Sequence, residues 1–278
     1  AQLGTRLVGR EPRPRVVPHA RPDGPPLLEV AGVRVDDGDL TLLDDVSFEL
    51  RRGEILGVVG VAGSGQDVLA ECITGLRSVT AGSIVLDGTD IAGSGRRALI
   101  EGTVAHVPED RRVDGLVGPA TVRHNAILGV HRWPEFQRRG WLRRGAIDDH
   151  AKVLVQEFEI RVRGVDQAAE TLSGGNQQRV LLGRELYKQA GLLVACGPTR
   201  GLDIAGTEYV WSRLVEQRDR GAAVLLLSLD LDEILALSDR MIVMYAGRIV
   251  GAVAADGADA ETLGLMMGGS ALSNGSPR

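Results

Sequence analysis

The 278-residue chain lacks most of the features that mark membrane-spanning, disulfide-stabilised or nucleic-acid-binding proteins. None of its apolar runs reaches the ~18 consecutive residues of a membrane helix, and we see no secretory leader. Its only two cysteines, Cys72 and Cys196, lie in apolar stretches without metal-ligand spacing, which predicts reduced thiols and no disulfide framework. The net charge of -5 argues against a nucleic-acid binder. These absences leave a large globular domain with ample residues for a core.

The most informative stretch is Leu-Ser-Gly-Gly-Asn-Gln-Gln at residues 172–178, which opens a helix-forming run ending near Leu186. Ser173 belongs to the residue types that cap helices, and Gly174 and Gly175 leave the first amides of the helix uncovered. A helix N-terminus with uncovered N–H groups and a positive dipole end is a site for phosphate. For Ser-Gly-Gly alone, an ordinary capped helix is the alternative.

The longer string resembles the signature motif of ABC-transporter ATPases, in the variant found in importers of simple sugars and nucleosides. The resemblance covers about Leu27 to Gly269 and implies an α/β fold, a P-loop NTPase domain of the ABC type. Such a domain has a mixed sheet core, an antiparallel β region and a helical subdomain. The resemblance also implies ATP and Mg²⁺ as cofactors. In this family two domains pair head to tail, with ATP between one domain's phosphate loop and the other's signature. The residues implied to act on the partner domain's ATP are Ser173, Gly174, Gly175, Gln177 and Asp203.

A degenerate phosphate loop follows the apolar run at 55–59. Residues 60–67, Gly-Val-Ala-Gly-Ser-Gly-Gln-Asp, match the glycines of the pattern G-x-x-x-x-G-K-[ST], whose amides hold phosphates. Gln66 replaces the lysine and Asp67 replaces the Mg²⁺-binding hydroxyl, so the loop loses a cation and gains an anion. We expect the loop to fold but to bind ATP-Mg weakly or not at all. Its nucleotide-facing residues are predicted to be Gly60, Gly63, Ser64, Gly65, Gln66 and Asp67.

Other positions that carry chemistry in the family are also altered. The run ending at Cys196 and Gly197 resembles the second nucleotide motif, which normally ends in Asp-Glu. A thiol and a glycine neither hold the Mg²⁺ shell nor orient the attacking water. Leu229 stands where the family has a switch histidine and carries no hydrogen-bonding atom. Glu109 takes the place of a glutamine that contacts the metal and senses the membrane subunit.

The adenine contact is also in doubt. Members of the family usually place an aromatic residue near Val35, and none occurs between Leu27 and Ser47. His106, His124 and His150 show no metal-like spacing, so we predict no metal held by side-chain ligands of this kind.

The chain divides into a linker, one domain and a tail. Residues 1–26 contain six prolines and are predicted to be a linker. Residues 3–11 resemble the tail that closes the first ATPase domain of tandem sugar-importer ATPases. Because there is no initiator Met, we expect a piece of a longer protein. The ATPase domain is expected at 27–269, with a helical subdomain at about 112–171 and a disordered tail at 270–278.

Within the helical subdomain, apolar spacing predicts helices from Thr121 to Leu128 and from His150 to Phe158. The segment between them, residues 131–144, is rich in arginine and holds two tryptophans. It is either a solvated surface loop or a contact with a transmembrane partner. In the family, this subdomain forms a groove that accepts a short cytoplasmic helix of the permease.

The altered and preserved positions separate cleanly. The residues that bind phosphate and metal, orient the attacking water and act as the switch in the family are replaced at Gln66, Asp67, Cys196, Gly197 and Leu229. The signature residues are retained. We interpret the chain as the second, degenerate half of a tandem importer ATPase, with little or no activity of its own. The implied partners are another ABC ATPase domain, transmembrane permease subunits and, indirectly, an extracytoplasmic solute-binding protein, at the cytoplasmic face of the cell membrane and without nucleic acid.

Two other interpretations are open at this stage. One is a stand-alone soluble ABC protein of translation or repair, against which the sugar-type Asn-Gln-Gln and the lack of long charged insertions count. The other is a structural pseudo-ATPase module that binds partners without nucleotide.

Overall fold

The computed structural model describes residues 24–93, 99 and 104–269. The strands are β1 (Pro26–Asp37), β2 (Leu40–Arg51), β3 (Ile55–Val59), β4 (Ala81–Leu86), β5 (Thr89–Asp90), β6 (Val104–Val107), β7 (Gln137–Arg138), β8 (Trp141–Leu142), β9 (Leu192–Cys196), β10 (Ala223–Leu227), β11 (Arg240–Tyr245) and β12 (Arg248–Ala254). The α-helices are α1 (Gln66–Ile73), α2 (Val122–Ala126), α3 (Arg144–Glu157), α4 (Gly174–Tyr187), α5 (Ile204–Asp219), α6 (Leu231–Leu237) and α7 (Ala260–Met267). Short helical turns lie at Arg111–Gly115, Ala169–Thr171 and Ala255–Gly257.

The central layer is a six-stranded sheet in the order β12-β11-β3-β10-β9-β6. From β11 to β6 all neighbours are parallel, and only the edge strand β12 runs antiparallel. Parallel strands covered on both faces read as continuous apolar runs, as β3 and β10 do, and every residue of both is buried. Their carboxyl ends lie at one edge of the sheet, where ligands of α/β proteins bind.

The two faces of this sheet pack into separate cores because alternate residues of a strand point to opposite sides. Ile55 and Val59 of β3 face the core formed with α4, α5 and α6. Leu56 and Val58 face the other core, which α1 and the antiparallel sheet complete.

The antiparallel sheet has the order β2-β1-β4-β5. The predicted linker boundary at residue 26 is wrong at its last residue, because Pro26 opens β1 and pairs with Arg51. Proline is tolerated at the first residue of a strand, where its missing N–H costs little. The rest of the linker prediction up to residue 23, including the resemblance of residues 3–11, lies outside the described residues, as does the predicted tail at 270–278.

The helical subdomain contains α2, a β7–β8 hairpin and α3. The predicted helix over 121–128 is shorter, because only Val122–Ala126 are α-helical after the Thr121 cap. The second helix begins at Arg144, before the predicted His150, and ends at Glu157. The sequence does not predict this hairpin, because strands of two residues are too short to show an alternation of apolar and polar residues.

A buried charged cluster fixes α4 against β6. Glu185 accepts hydrogen bonds from the Arg184 guanidinium (2.8 Å), from Lys188 Nζ (2.5 Å) and from the His106 amide (3.1 Å). Glu185, Arg184 and Lys188, at the end of α4, are each less than one tenth exposed. Burial alone would raise the pKa of Glu185, but the charges of Arg184 and Lys188 outweigh it and lower that pKa. The cluster therefore stays ionised inside the domain.

None of the helices in residues 24–93, 99 and 104–269 combines the length and apolar character needed to span a bilayer.

Candidate functional site

The loop after β3 has the backbone geometry of a phosphate nest. Gly63 (φ 82°) and Gly65 (φ 96°) are left-handed, and a Cβ at Gly65 would lie 2.8 Å from Leu43 Cδ2. The Ser64 amide donates to the Val61 carbonyl (3.1 Å), and the Ser64 carbonyl accepts from the Gly247 amide (3.1 Å). Among the described residues, the amides of Gly63, Gly65 and Gln66 have no acceptor. Free amides that are grouped in one loop in this way bind anions.

Gln66, at the lysine position of the pattern G-x-x-x-x-G-K-[ST], brings no charge to the loop. Its side chain is buried and lies against the end of β3, where a Cβ on Gly60 would be 2.5 Å from Gln66 Nε2. That nitrogen is buried and has no hydrogen-bond partner among the described atoms. A phosphate in the nest would therefore receive backbone N–H donors, but without the charge that a lysine supplies.

The end of β9 supplies no metal or water chemistry. Burial, together with the negative charges of Glu109 and Asp67, raises the pKa of the half-buried Cys196 to about 12. Its thiol is neutral at physiological pH and is not the hard oxygen ligand that Mg²⁺ takes. In the described part of the chain, no group of three or more His, Cys, Asp and Glu side chains is arranged to hold a metal ion. The nest thus offers amide donors to a phosphate, and Cys196 and Gly197 offer no oxygen ligand to Mg²⁺.

Both thiols are expected to resist alkylation in the folded protein. The pKa of Cys72 is raised by burial to about 11, and that of Cys196 to about 12, so thiolate forms only near those pH values. Iodoacetamide at pH 8 should label neither cysteine in the native state and both after denaturation. Rapid native labelling of Cys196, followed by mass spectrometry, would contradict the protonated, shielded thiol.

The signature begins α4 with an uncovered N-terminus. Ser173 caps the helix, and its Oγ accepts from the amide (3.4 Å) and Nδ2 (3.0 Å) of Asn176. The amides of Gly174 and Gly175 have no acceptor among the described residues. The predicted capped helix is confirmed, and its first amides stay available to an anion.

Gln177 requires a correction. It was expected to act on the ATP of a partner domain, but its side chain is buried and Nε2 donates to the carbonyls of Ala169 (3.2 Å) and Leu172 (3.3 Å). It therefore fixes the turn before the helix. Gln178 acts similarly, donating to the Pro198 carbonyl at 2.7 Å. A sequence pattern names such residues but does not give their side-chain direction.

Arg111 was missed by the sequence analysis and lies at the signature. Its Nη1 donates to the Arg200 carbonyl (2.9 Å), and its Nη2 is so close to Gly174 that a Cβ there would lie 2.7 Å away. Arg200 in turn pairs with Glu109, which follows β6. Burial lowers the pKa of Arg111, and its Nε has no partner among the described atoms. The loops carrying Glu109, Gly174 and Arg200 are thus connected by two guanidinium groups.

The remaining predicted positions lie at the ends of α5 and α6. Asp203 is exposed and caps α5, with Oδ1 accepting from the Gly206 amide at 2.7 Å. The strand before the switch position ends at Leu227, so Leu229 lies in the following turn and is 57% exposed. Glu233, which the sequence analysis did not single out, is fully buried and accepts from Thr199 Oγ1 (2.8 Å) and Trp211 Nε1 (3.1 Å). Burial raises the pKa of Glu233.

A groove of about 210 Å³ lies between the helical subdomain and the sheet. Its floor contains Arg184, Glu185 and Lys188, and its rim carries Val113 (76% exposed) and Val117 (50% exposed). Apolar side chains around a charged floor give this groove the character of a binding surface for a partner segment.

Comparisons with known proteins agree with this geometry. A family model described as "ABC transporter" matches residues 43–200. The chain is 42% identical over 277 residues to the "Glucose import ATP-binding protein TsgD13" of Haloferax volcanii, covering 97% of this chain and 50% of that protein. It is 38% identical over 270 residues to the "Guanosine import ATP-binding protein NupO" of Bacillus subtilis, covering 97% and 53%. The chain spans about half the length of these curated relatives.

Solved structures share the fold at lower identity. The chain superposes on the structure of an ATP-binding subunit of an ABC transporter with a TM-score of 0.70 at 23% identity, covering 87% of this chain and 99% of that one. A nucleotide-free ATP-binding cassette from an ABC transporter gives a TM-score of 0.69 at 20% identity, covering 82% and 91%. These matches confirm the predicted fold class. Since the family model covers more than half of the residues, the chain belongs to the ABC transporter family, as an ATP-binding domain.

Proposed function

We propose that this chain is the degenerate ATP-binding domain of an ABC importer, whose signature completes an ATP site on another domain. One contrast carries the proposal. The signature presents a serine cap and the free amides of Gly174 and Gly175, whereas the chain's own phosphate loop has a buried, uncharged Gln66 and a neutral thiol beyond it. A domain with this pattern can contribute donors to a nucleotide held elsewhere, but cannot assemble the charges for phosphoryl transfer at its own loop.

The chemistry of the shared site would divide between two domains. ATP supplies the transferred phosphoryl group, and a partner domain holds it with its own loop and metal. This chain would direct the Ser173 hydroxyl and the amides of Gly174 and Gly175 at the outer phosphate. Fixed donors aimed at developing charge are the largest contribution that a protein makes to such a transfer. Gln177 would act indirectly, by holding the turn that positions Ser173.

The solute class and partners follow from the relatives. Their names describe import of glucose, guanosine and nucleosides, so we propose a simple sugar or a nucleoside as the solute. The groove beside Val113 and Val117 is the proposed seat for a cytoplasmic helix of the permease subunits. This arrangement places the protein at the cytoplasmic face of the membrane, and a solute-binding protein outside the membrane would deliver the solute to the permease.

The partner domain must supply the phosphate-binding lysine and the Mg²⁺-binding hydroxyl that the loop of this chain lacks. We propose that it is the first half of the same polypeptide and contains an intact G-x-x-x-x-G-K-[ST] loop. The coverage of about half of each relative is in line with a two-domain protein. Absence of such a loop from both the full polypeptide and its co-assembled ATPase subunits would refute the two-domain proposal.

The isolated chain is expected to hydrolyse ATP at least ~10³-fold more slowly than an intact ABC ATPase, because even one charge-stabilising group contributes ~10³–10⁵ to phosphoryl transfer. Phosphate release by the purified chain measures this. Turnover comparable to an intact ATPase, and abolished by Gln66→Ala, would contradict the proposal. Equilibrium ATP binding to the same chain tests the pseudo-ATPase alternative, since the free amide nest should give weak binding that does not require Mg²⁺.

A further inference from the structure

The helical subdomain carries a small protrusion with unusual exposure. The β7–β8 hairpin presents Trp141, 81% exposed, and Leu142, 51% exposed. Trp141 and Leu142 are consecutive residues of β8, so their side chains project from opposite faces of the hairpin, and neither has a role in the core or in the signature. Exposed apolar side chains that are grouped together mark sites of contact with another protein or with a membrane.

The hairpin is preorganised. Arg139 (φ 52°) and Gly140 (φ 83°) form a two-residue turn with both central φ values positive, as in type I′ hairpins. The Gly140 amide donates to Gln137 Oε1 (3.1 Å), and the Arg143 amide donates to the Phe136 carbonyl (2.8 Å). Trp141 is therefore exposed on a defined hairpin.

The base of the hairpin is a separate small core. Phe136 is 2% exposed and packs with Ile127, Val130 and Ile147. The intervening residues Leu128 and Gly129 line the groove proposed for the permease. The hairpin and the groove therefore share one short segment of chain, so a permease segment in the groove would lie near the base of the hairpin.

The protrusion is strongly basic within an acidic protein. Between residues 131 and 147 the chain has five arginines and a single glutamate, against a net charge of -5 overall. The glutamate, Glu135, already accepts a hydrogen bond from the Tyr187 hydroxyl at 2.7 Å. Within the described part of the chain, Arg138, Arg139 and Arg144 make no ion pair, so their charges face solvent.

We propose that this hairpin rests on an anionic lipid surface. The end of the hairpin enters the headgroup region, with Trp141 and Leu142 on its two faces, and the surrounding arginines contact lipid phosphates. Tryptophan and arginine together are typical of protein surfaces that lie in a membrane interface. There the aliphatic part of each arginine contacts the acyl chains, while its guanidinium group stays hydrated among the headgroups. Only the place of the bilayer rests on the proposed function. The vesicle-binding measurement uses neither ATP nor permease, so the two proposals can fail separately.

The test is flotation of the purified chain with two kinds of vesicle, phosphatidylcholine alone and an equal mixture with phosphatidylglycerol. The chain should bind the anionic vesicles and release them as salt rises. Replacing Arg138 and Arg139 together by glutamine should weaken binding about 25-fold, at about fivefold for each arginine. Trp141→Ser with Leu142→Ser should weaken it comparably. The matched controls, Arg161→Gln with Arg163→Gln and Val153→Ser, alter exposed side chains elsewhere in the subdomain and should change little.

Thermal unfolding and permease association complete the test of the hairpin. Unchanged thermal unfolding of the variants shows that loss of binding is not loss of fold, as expected for side chains outside the core. Absence of binding to either vesicle, or equal binding by hairpin and control variants, overturns it. It is also overturned if the hairpin variants keep vesicle binding but lose association with a detergent-purified permease, which would identify a protein contact instead.

Discussion

Replacing Ser173 by arginine, or Gly174 by aspartate, should lower the ATP turnover of the assembled transporter by ~10²-fold or more, the usual effect of removing a fixed donor to developing charge. Hydrogen bonds to charged groups contribute about 1.5–3 kcal/mol each, and a side chain at either position would also hold two domains apart. A carboxylate at position 174 would lie beside Arg111 Nη2, since a Cβ there is 2.7 Å away. It would engage that guanidinium and repel phosphate.

In contrast, Gln66→Ala should leave the ATP turnover of the assembled transporter nearly unchanged. Gln66 Nε2 is buried without a partner, and the loop that it borders has no lysine. Gly164→Asp is a matched control for Gly174→Asp, because a Cβ at Gly164 meets nothing within 4 Å. The assay is ATPase activity of the ATPase reconstituted with its permease. Equal damage from Gln66→Ala and Ser173→Arg, with both variants folded, would refute the division of roles.

The largest expected stability effect is at Glu185. Glu185→Ala removes the carboxylate shared by the buried cations Arg184 and Lys188 and should lower the free energy of unfolding by about 3–5 kcal/mol. Replacing all three by apolar residues of similar size (R184M, E185L and K188M together) should cost less than the single change, because no unpaired charge remains buried. Urea unfolding measures both. A loss below about 1 kcal/mol for Glu185→Ala would contradict the ionised cluster.

The same cluster has a predictable pH dependence. The pKa of Glu185 is lowered in the folded protein, so its contribution to stability is present above its ordinary pKa of 4.5 and is lost as pH falls through the lower folded value. Wild-type stability should therefore decrease in acid more steeply than that of the triple variant.

Much of the fold could be predicted because its determinants are local. The apolar run at 55–59 ahead of the glycine-rich loop coincides with β3, and the Ser173 cap with its glycines marked the start of α4. The positions of the altered residues in the phosphate loop could also be read directly, since the register of that loop fixes which residue follows Gly65.

What the sequence did not predict depends on contacts between distant residues. Arg111 donates to a carbonyl 89 residues away, and that separation leaves no periodic signal. Gln177 and Ser173 lie in one motif, yet one side chain bonds the preceding turn inside the domain and the other caps the helix at its surface. Glu233 is fully buried beside Thr199 and Trp211, although the acidic residues Asp230 and Asp232 precede it in the sequence. Burial in each case comes from tertiary packing.

The central claim is that ATP is hydrolysed at another domain's loop against this domain's signature. Its most direct test is photolabelling of the assembled ATPase with an azido-ATP analogue trapped by vanadate after one turnover, followed by peptide mapping. We predict that the trapped label lies on the partner domain, that residues 60–67 of this chain carry none, and that Ser173→Arg abolishes trapping. Vanadate-trapped label on residues 60–67 that survives Ser173→Arg would contradict the account.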